Sequence, residues 1–179
     1  MMNSMTRQAL LTTLLLFVLF IITTTVSARG VYQTNDEFLN EVFSQQVPKS
    51  DVVWLKGEVR EQVKSILGHH YAGLRIRYWM QNDRSAWILE EIGKEEPITF
   101  GIVINNNKVE QVKVLAYRES RGWEVKHPAF TQQFSEAQLK NNELDRNIDG
   151  ITGATLSVRA MTAVVTLALY LDEFVSTQS

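Results

Sequence analysis

The sequence predicts an α+β fold in which an antiparallel β-sheet packs against helices and a buried helix follows near the C-terminus. Two observations indicate the sheet: apolar residues alternate in paired segments, and Asn-rich turn signals separate the members of each pair. A third observation indicates the helix: residues 156–175 are apolar nearly all round and follow a loop of small residues. Together these patterns predict helices against one face of the sheet.

The first 28 residues differ in kind from the rest. A polar start with Arg7 precedes an apolar core at 10–22, and Val26-Ser27-Ala28 follows. This pattern is typical of a secretory signal cut after Ala28, and it predicts a periplasmic or otherwise extracytoplasmic protein. Residues 9–26 are also just long enough to remain as an uncleaved membrane anchor. In either case, residues 29–179 are predicted to form a single domain.

Composition excludes several classes of protein. The 179 residues include no cysteine, which excludes disulfides, Cys-ligated iron–sulfur clusters and c-type haem attachment. A redox centre, if there is one, is therefore held in another way. The net charge is −2, and because residues 1–28 contain one Arg and no acid, the remainder carries −3. The absence of a basic run argues against nucleic acid as a partner.

Two helices are predicted before the sheet. The segment that opens at Asn35 is amphipathic, and residues 47–51 break it. Its apolar side is formed by Phe38, Leu39, Val42 and Phe43. Residues 58–69 form a second candidate helix with Gly68 near its end. His69 and His70 are adjacent and point about 100° apart on a helix, so we expect no metal site there.

Four strands are predicted next. Residues 74–80 and 85–92 form one pair around the turn signal Asn82-Asp83. Residues 98–104 and 109–119 form the clearest hairpin, with its turn at 105–107. One face of this hairpin is predicted to contain Ile98, Phe100, Ile102 and Ile104, matched by Val112, Val114 and Ala116.

The loop of small residues at 149–154 leads into the last helix. Gly150 and Gly153 permit tight or left-handed backbone, and Thr155 lies where the helix begins. A Thr at this position can cap the free N–H groups of the first turn. The same N–H groups and the helix dipole can instead bind an anion such as phosphate. From the residues alone, both interpretations stay open.

The stretch 149–157 resembles the flavinylation signature of the FMN-binding domain family. That signature has an Asp, a small residue, a spacer, Ser/Thr-Gly-Ala-Ser/Thr, and a Ser or Thr two places on. The residues that match are Asp149, Thr152, Gly153, Ala154, Thr155 and Ser157. The family includes covalent-flavin subunits of Rnf and Na⁺-translocating NADH:quinone reductase complexes. The resemblance covers about the last half of the chain and implies that FMN is joined through its phosphate to Thr155.

The resemblance continues upstream of this loop. Glu119 and Ser120 match the start of a family Glu-Thr-Pro-Gly-Leu-Gly motif that lies near the flavin, whereas residues 121–123 depart from it. Trp123 is either a structural residue or a ring that stacks on the flavin. Residues 127–134 resemble an Asp-Pro-x-Phe…Phe segment, which we expect to pack under the flavin loop. Arg159, one helical turn beyond Thr155, either reaches the phosphate or lies on the exposed edge.

The resemblance implies an extracytoplasmic electron-transfer flavoprotein that carries covalent FMN and need not be an enzyme on its own. Its expected partners are a flavin transferase, which uses FAD with Mg²⁺, and a membrane quinone- or cytochrome-linked redox protein. The main alternative is a secreted binding or adaptor domain without covalent flavin, in which Thr155 only caps the helix. A third possibility, a reductase acting directly on a small acceptor, has no supporting constellation of residues in the sequence.

Overall fold

A computed structural model of the chain describes residues 30–178, so the predicted signal segment 1–28 lies outside the described residues. The main helices are α1 (Asn35–Val42), α2 (Gly57–Leu67), α3 (Pro128–Thr131) and α4 (Thr155–Ser176). The strands are β1 (Gly30–Val31), β2 (Asp51–Trp54), β3 (Arg75–Gln81), β4 (Arg84–Ile92), β5 (Pro97–Asn105), β6 (Lys108–Tyr117), β7 (Leu139–Lys140) and β8 (Glu143–Leu144).

The described sheet has the order β1-β6-β5-β4-β3-β2, and every neighbouring pair is antiparallel. This confirms the α+β class and the four predicted strands. The sheet also contains β1 and β2, which the sequence pattern did not predict. β2 is a four-residue edge strand that follows the Pro48 loop, and a strand this short shows little alternation.

Helices contact both faces of the sheet, which corrects the expectation of one covered face. On one face, α2 and α4 pack over the main core. On the other, the predicted apolar side of α1 is buried against Ala86, Val103 and Leu115. Gly101 makes this contact close, because a Cβ there would lie 2.7 Å from the Phe38 ring. α1 covers less of this face at β2 and β3, and Trp54 at the end of β2 is exposed.

A β-bulge changes which residue of β6 faces the main core. Thr99 pairs with Ala116 and Phe100 with Val114, so Leu115 is the extra residue. As a result, Leu115 packs against α1, and Tyr117 joins the core beneath α4. The prediction that Ala116 continues the face of Val112 and Val114 is therefore wrong, because strict alternation stops at the bulge.

The long helix α4 agrees with its predicted bounds to within one residue and is buried along most of its length. It begins beside the end of β6 and packs over β4, β5 and β6 as well as α2. Among residues 30–178, no helix is both long and apolar enough to cross a membrane.

Asp172 is a buried carboxyl group in the last part of α4. It is only 2 % exposed, and it accepts a hydrogen bond from the Ser85 hydroxyl, which accepts one from Trp87 Nε1 at 2.8 Å. Burial raises the pKa of Asp172 from its usual value of 3.8 to about 6. Its protonated form therefore stabilises the fold relative to its ionised form, so its contribution to stability is lost as pH rises through about 6.

We predict that Asp172→Asn removes this pH dependence. Relative to the variant, the parent should lose as much as about 3 kcal/mol of unfolding free energy between pH 4 and pH 8, because each pKa unit corresponds to about 1.4 kcal/mol. Denaturant melts across this range measure the difference. Glu61→Gln, at an exposed position of α2, is the control and should track the parent. A parallel pH profile for Asp172→Asn and the parent would contradict the prediction.

Candidate functional site

The end of β6 and the start of α4 are joined by a buried pair of hydroxyl groups. Tyr117 donates to the Arg121 carbonyl oxygen, and its own oxygen lies 3.0 Å from Ser157 Oγ. Since the single Tyr117 proton goes to Arg121, Ser157 donates to Tyr117. Burial raises the pKa of Tyr117, which keeps the phenol neutral. Ser157, a predicted cofactor-binding residue, therefore also fixes the first turn of α4.

Gly122 allows the loop after β6 to pass close to this pair. Its φ is +87°, and a Cβ at this position would lie 2.8 Å from the Tyr117 hydroxyl and 2.9 Å from Ser157 Oγ. It would also lie 3.2 Å from the Ala154 methyl group. Only glycine satisfies both the left-handed backbone and the space available. Residues 121–123, which depart from the family motif, therefore pack closely against the first turn of α4.

Glu119 holds the β4–β5 loop beside the same helix start. Its side chain is 4 % exposed, and Oε1 accepts the backbone N–H groups of Lys94, Glu95 at 2.6 Å and Glu96 at 2.9 Å. Burial acts to raise the pKa of Glu119, but these hydrogen bonds outweigh it and the pKa is lowered. The carboxylate therefore stabilises the fold above its usual pKa of 4.5, and this contribution is lost as pH falls through the lowered value.

These elements enclose a cavity of about 570 Å³. The residues around it come from three segments that are distant in sequence: Lys94, Glu119, Ser120, Arg121, Gly153, Ala154, Thr155, Leu156 and Ser157. Six of the eight predicted cofactor-binding residues are therefore brought together. Ser120 and Thr155 are exposed, whereas Glu119, Ala154 and Ser157 are buried.

Thr155 does not cap the helix, which corrects the first interpretation of this residue. The N-cap position is Ala154, and no side chain caps the helix there. Thr155 is instead the first helical residue, and its hydroxyl makes no hydrogen bond within residues 30–178. Gly153, with φ +82°, reverses the chain just before the helix begins. The hydroxyl is thus left free at the wall of the cavity.

Thr152 and Asp149 lie outside this cavity, in the exposed loop that precedes the helix. A carboxylate in such a loop is expected to accept backbone N–H groups in a turn, but the Asp149 side chain makes no hydrogen bond within the described part of the chain. Its backbone N–H instead donates to Gln133 Oε1 at 2.7 Å. That bond ties the loop to the segment that contains the buried Phe130 and Phe134.

Two other candidates, Trp123 and Arg159, lie away from the cavity, as does His69, at which no metal site is expected. Trp123 contacts His127 edge-on at 5.1 Å between ring centroids and is not part of the lining. Arg159 lies against the end of α2, where its Nη2 is 3.5 Å from the position of a Cβ on Gly68. His69 pairs with Glu91 at 2.9 Å, and hydrogen bonds to the His70 carbonyl and to Glu91 raise its pKa.

Two cationic residues of the cavity, Lys94 and Arg121, were not predicted as site residues. Lys94 begins the β4–β5 loop and pairs with Glu95 at 3.2 Å, while Arg121 makes no ion pair among the described residues. The register of β4, β5 and β6 places both loops at one end of the sheet. The strand register, combined with the positive charges in the two loops, would therefore have identified Lys94 and Arg121 as residues of the site.

Residues 93–170 match the family model of the FMN-binding domain. No curated protein matches the chain. The matched segment begins in the β4–β5 loop and ends within α4, so it contains the whole lining of the cavity. The match confirms the resemblance predicted from the sequence and supports the binding of FMN.

The residues of the cavity fit the phosphate end of FMN. The volume lies within the range of about 300–1,000 Å³ that is typical of small-molecule sites. Lys94, Arg121 and the N-terminal N–H groups of α4 favour a phosphate dianion at this wall. Glu119 is the one acidic side chain of the lining, and its Oε1 is already saturated by three N–H donors.

We predict that two glycines of the site differ in their tolerance of a methyl group. Both have left-handed backbone, so Gly153→Ala, which meets no atom within 4 Å, should cost only the conformational strain of about 1–2 kcal/mol. Gly122→Ala should cost clearly more, because its methyl group clashes with Tyr117 and Ser157. Denaturant melts of the two variants give the comparison, and equal losses would show that the close approach at Gly122 is unimportant.

Proposed function

We propose that this protein is an extracytoplasmic electron-transfer flavoprotein with FMN bound covalently to Thr155. The match of residues 93–170 to the FMN-binding domain supports the choice of FMN. The observation that carries the proposal is the Thr155 hydroxyl. It is exposed at the wall of a cavity lined by Lys94 and Arg121, and it has no hydrogen-bond partner within the described residues. A hydroxyl in this position is accessible to an enzyme that modifies it.

The attachment is a phosphoryl transfer from FAD. The Thr155 oxygen forms a bond to the phosphorus on the FMN side of the pyrophosphate, the bond to the other phosphate breaks, and AMP leaves. The hydroxyl proton passes to solvent or to a base of the transferase. Because the Thr155 hydroxyl makes no hydrogen bond to a base among residues 30–178, a separate flavin transferase with Mg²⁺ is the proposed catalyst.

The residues around Thr155 hold and orient the modified side chain. Lys94 and Arg121 offset the phosphate charge, and Glu119 keeps the loop of Lys94 in place through its three hydrogen bonds. Flavin supplies the redox chemistry, since it exchanges electrons either in pairs or singly. The chain therefore serves as a carrier, and we propose a membrane quinone- or cytochrome-linked protein as its redox partner.

Residues 1–28 bear on the location of the protein, and Thr155 bears on the alternative function. Residues 1–28 support export to the periplasm or an equivalent compartment, and a phosphoester on Thr needs no cysteine, of which the chain has none. The alternative of a secreted adaptor domain depended on Thr155 acting only as a helix cap. Since Ala154 is the N-cap, that premise is removed.

We predict that Thr155→Ala abolishes covalent flavin without weakening the fold. Stability should stay the same or rise by about 0.5 kcal/mol, because no cap is lost and Ala favours a helix more than Thr. In-gel flavin fluorescence and intact mass, after co-expression with a flavin transferase, measure the outcome. Thr177→Ala is the matched control and should keep the flavin, since Thr177 is exposed just beyond the far end of α4 and lies outside the cavity. Fluorescence retained by Thr155→Ala would overturn the assignment.

We propose that Asp149 is recognised by the flavin transferase and makes no contact with the bound flavin. Its carboxylate is exposed, free of hydrogen bonds within residues 30–178, and outside the cavity. A negative charge near the target would repel a phosphate. The same charge can bind a basic group of the transferase or the Mg²⁺ that accompanies FAD.

We predict that Asp149→Asn and Asp149→Ala both slow flavin attachment by tenfold or more, an order of magnitude expected when a charged contact worth about 1.5–3 kcal/mol is lost. Thermal melts should match the parent, because the bond to Gln133 comes from the backbone of residue 149. Timed reactions with purified transferase measure the rates, with Asn147→Ala as an exposed control in the same loop. Attachment at the parent rate, or a fall in stability parallel to the fall in rate, would contradict this role.

A further inference from the structure

Exposed apolar side chains are concentrated at one end of the sheet. This site end contains the last residues of β2, β4 and β6 and the first residues of β1, β3 and β5, together with the start of α4. Six large apolar side chains there are between 36 and 66 % exposed, and we call them the apolar rim: Val31, Trp54, Leu74, Ile92, Trp123 and Leu156.

The apolar rim extends across the whole width of the sheet. Trp54 ends the edge strand β2, Ile92 ends β4, and Val31 ends the opposite edge strand β1. Neighbouring strands lie about 4.8 Å apart, so six strands span about 24 Å. Six of the eight large apolar side chains that are exposed in residues 30–178 thus lie at one end of the sheet, and this concentration favours an interaction surface there.

Cationic side chains accompany the aromatic rings of the rim. Lys56 and Arg75 lie 5.5 and 5.6 Å from the Trp54 ring. Lys126 lies 5.4 Å from the Trp123 ring and 4.0 Å from that of Tyr32. Trp and Tyr beside Lys and Arg are typical of the interface between a bilayer and water, where rings enter the headgroup region and cations contact phosphates.

The position of Gly30 indicates which partner the rim contacts. The chain enters the described structure at Gly30, which pairs with Tyr117 at the site end. Seven residues separate Gly30 from Ile22, the last residue of the apolar core of the N-terminal segment. Eight peptide units reach at most about 30 Å, so a retained anchor would keep this end close to the bilayer.

We propose that the apolar rim is a membrane-docking surface that places the cavity at Thr155 toward the bilayer. Acidic side chains such as Glu95 and Glu96 lie in the β4–β5 loop at the same end, so contact depends mainly on insertion of apolar side chains. Leu156 belongs both to the rim and to the lining of the cavity, which puts a redox group held there beside membrane-bound partners. Docking itself requires no flavin.

The four tryptophans provide a direct test, because residues 1–29 contain none. Trp54 and Trp123 lie in the rim, whereas Trp87 is buried and Trp79 is half-buried against α1. The full chain, made as Thr155→Ala so that no covalent flavin interferes, is combined with vesicles of phosphatidylethanolamine and phosphatidylglycerol that have brominated acyl chains. Tryptophan fluorescence should be quenched. The double variant Trp54→Phe/Trp123→Phe should lose most of the quenching, and Trp79→Phe should keep it.

A second set of variants tests whether the rim causes the contact. Leu74→Ser/Ile92→Ser should weaken docking at least about tenfold, measured by the lipid concentration needed for quenching. Val47→Ser is the matched control, because Val47 is 36 % exposed in the segment before β2, away from the site end, and it should behave as the parent. Thermal melts identify any variant that fails to fold. If the serine variants do not fold, the quenching of the tryptophan variants tests the proposal by itself.

Three outcomes would overturn the proposal. The first is no quenching of the parent chain. The second is equal weakening by the rim and Val47 variants. The third is a dimer in solution that the rim variants dissociate while vesicles cause no quenching, which would assign the rim to a second copy of the chain. Failure of Thr155 to accept flavin would leave all these measurements unchanged.

Discussion

The candidate site depends on one buried contact, the hydrogen bond between Tyr117 and Ser157. It fixes the start of α4 against the end of β6, and it exists because the bulge at Leu115 turns Tyr117 toward the helix side of the sheet. Without the extra residue, alternation would point Tyr117 toward the face of α1. Gly122 then brings the following loop within van der Waals distance of the same pair. A change of register in one strand thus positions a loop and a helix terminus that are distant in sequence.

The first turn of α4 favours an accessible hydroxyl over a stable helix end. A Ser, Thr, Asp or Asn at the N-cap would stabilise the helix by about 1 kcal/mol relative to Ala154. The same position would direct a hydroxyl inward to the N–H groups of the first turn, where it could not react. Placing Thr155 one residue later leaves its oxygen free and leaves the N–H groups available to an anion. In contrast, α1 has a full capping box between Thr34 and Glu37, so the Thr34 hydroxyl at its start is already hydrogen-bonded.

Periodicity predicted the helices and the four central strands, because each of them buries one regular face or, in α4, nearly its whole surface. The stretch from Asp149 to Ser157 predicted the site through its family signature. Three features escaped sequence analysis for physical reasons. β2 is too short to alternate, the bulge at Leu115 has no marker in the local sequence, and the positions of Lys94 and Arg121 depend on the register between strands. From the residues alone, a cap at Thr155 stayed open as one interpretation because the helix start was uncertain by about one residue.

The two ends of the sheet differ in how they use buried acidic groups. At the site end, Oε1 of the ionised Glu119 accepts three backbone N–H groups, which hold the β4–β5 loop in place. Near the other end of α4, Asp172 is buried with only the Ser85 hydroxyl as donor, and its raised pKa makes it a source of instability at neutral pH. Buried carboxylates are costly unless N–H groups surround them. The number of donors around each group therefore explains why the pKa of Glu119 is lowered, whereas the pKa of Asp172 is raised.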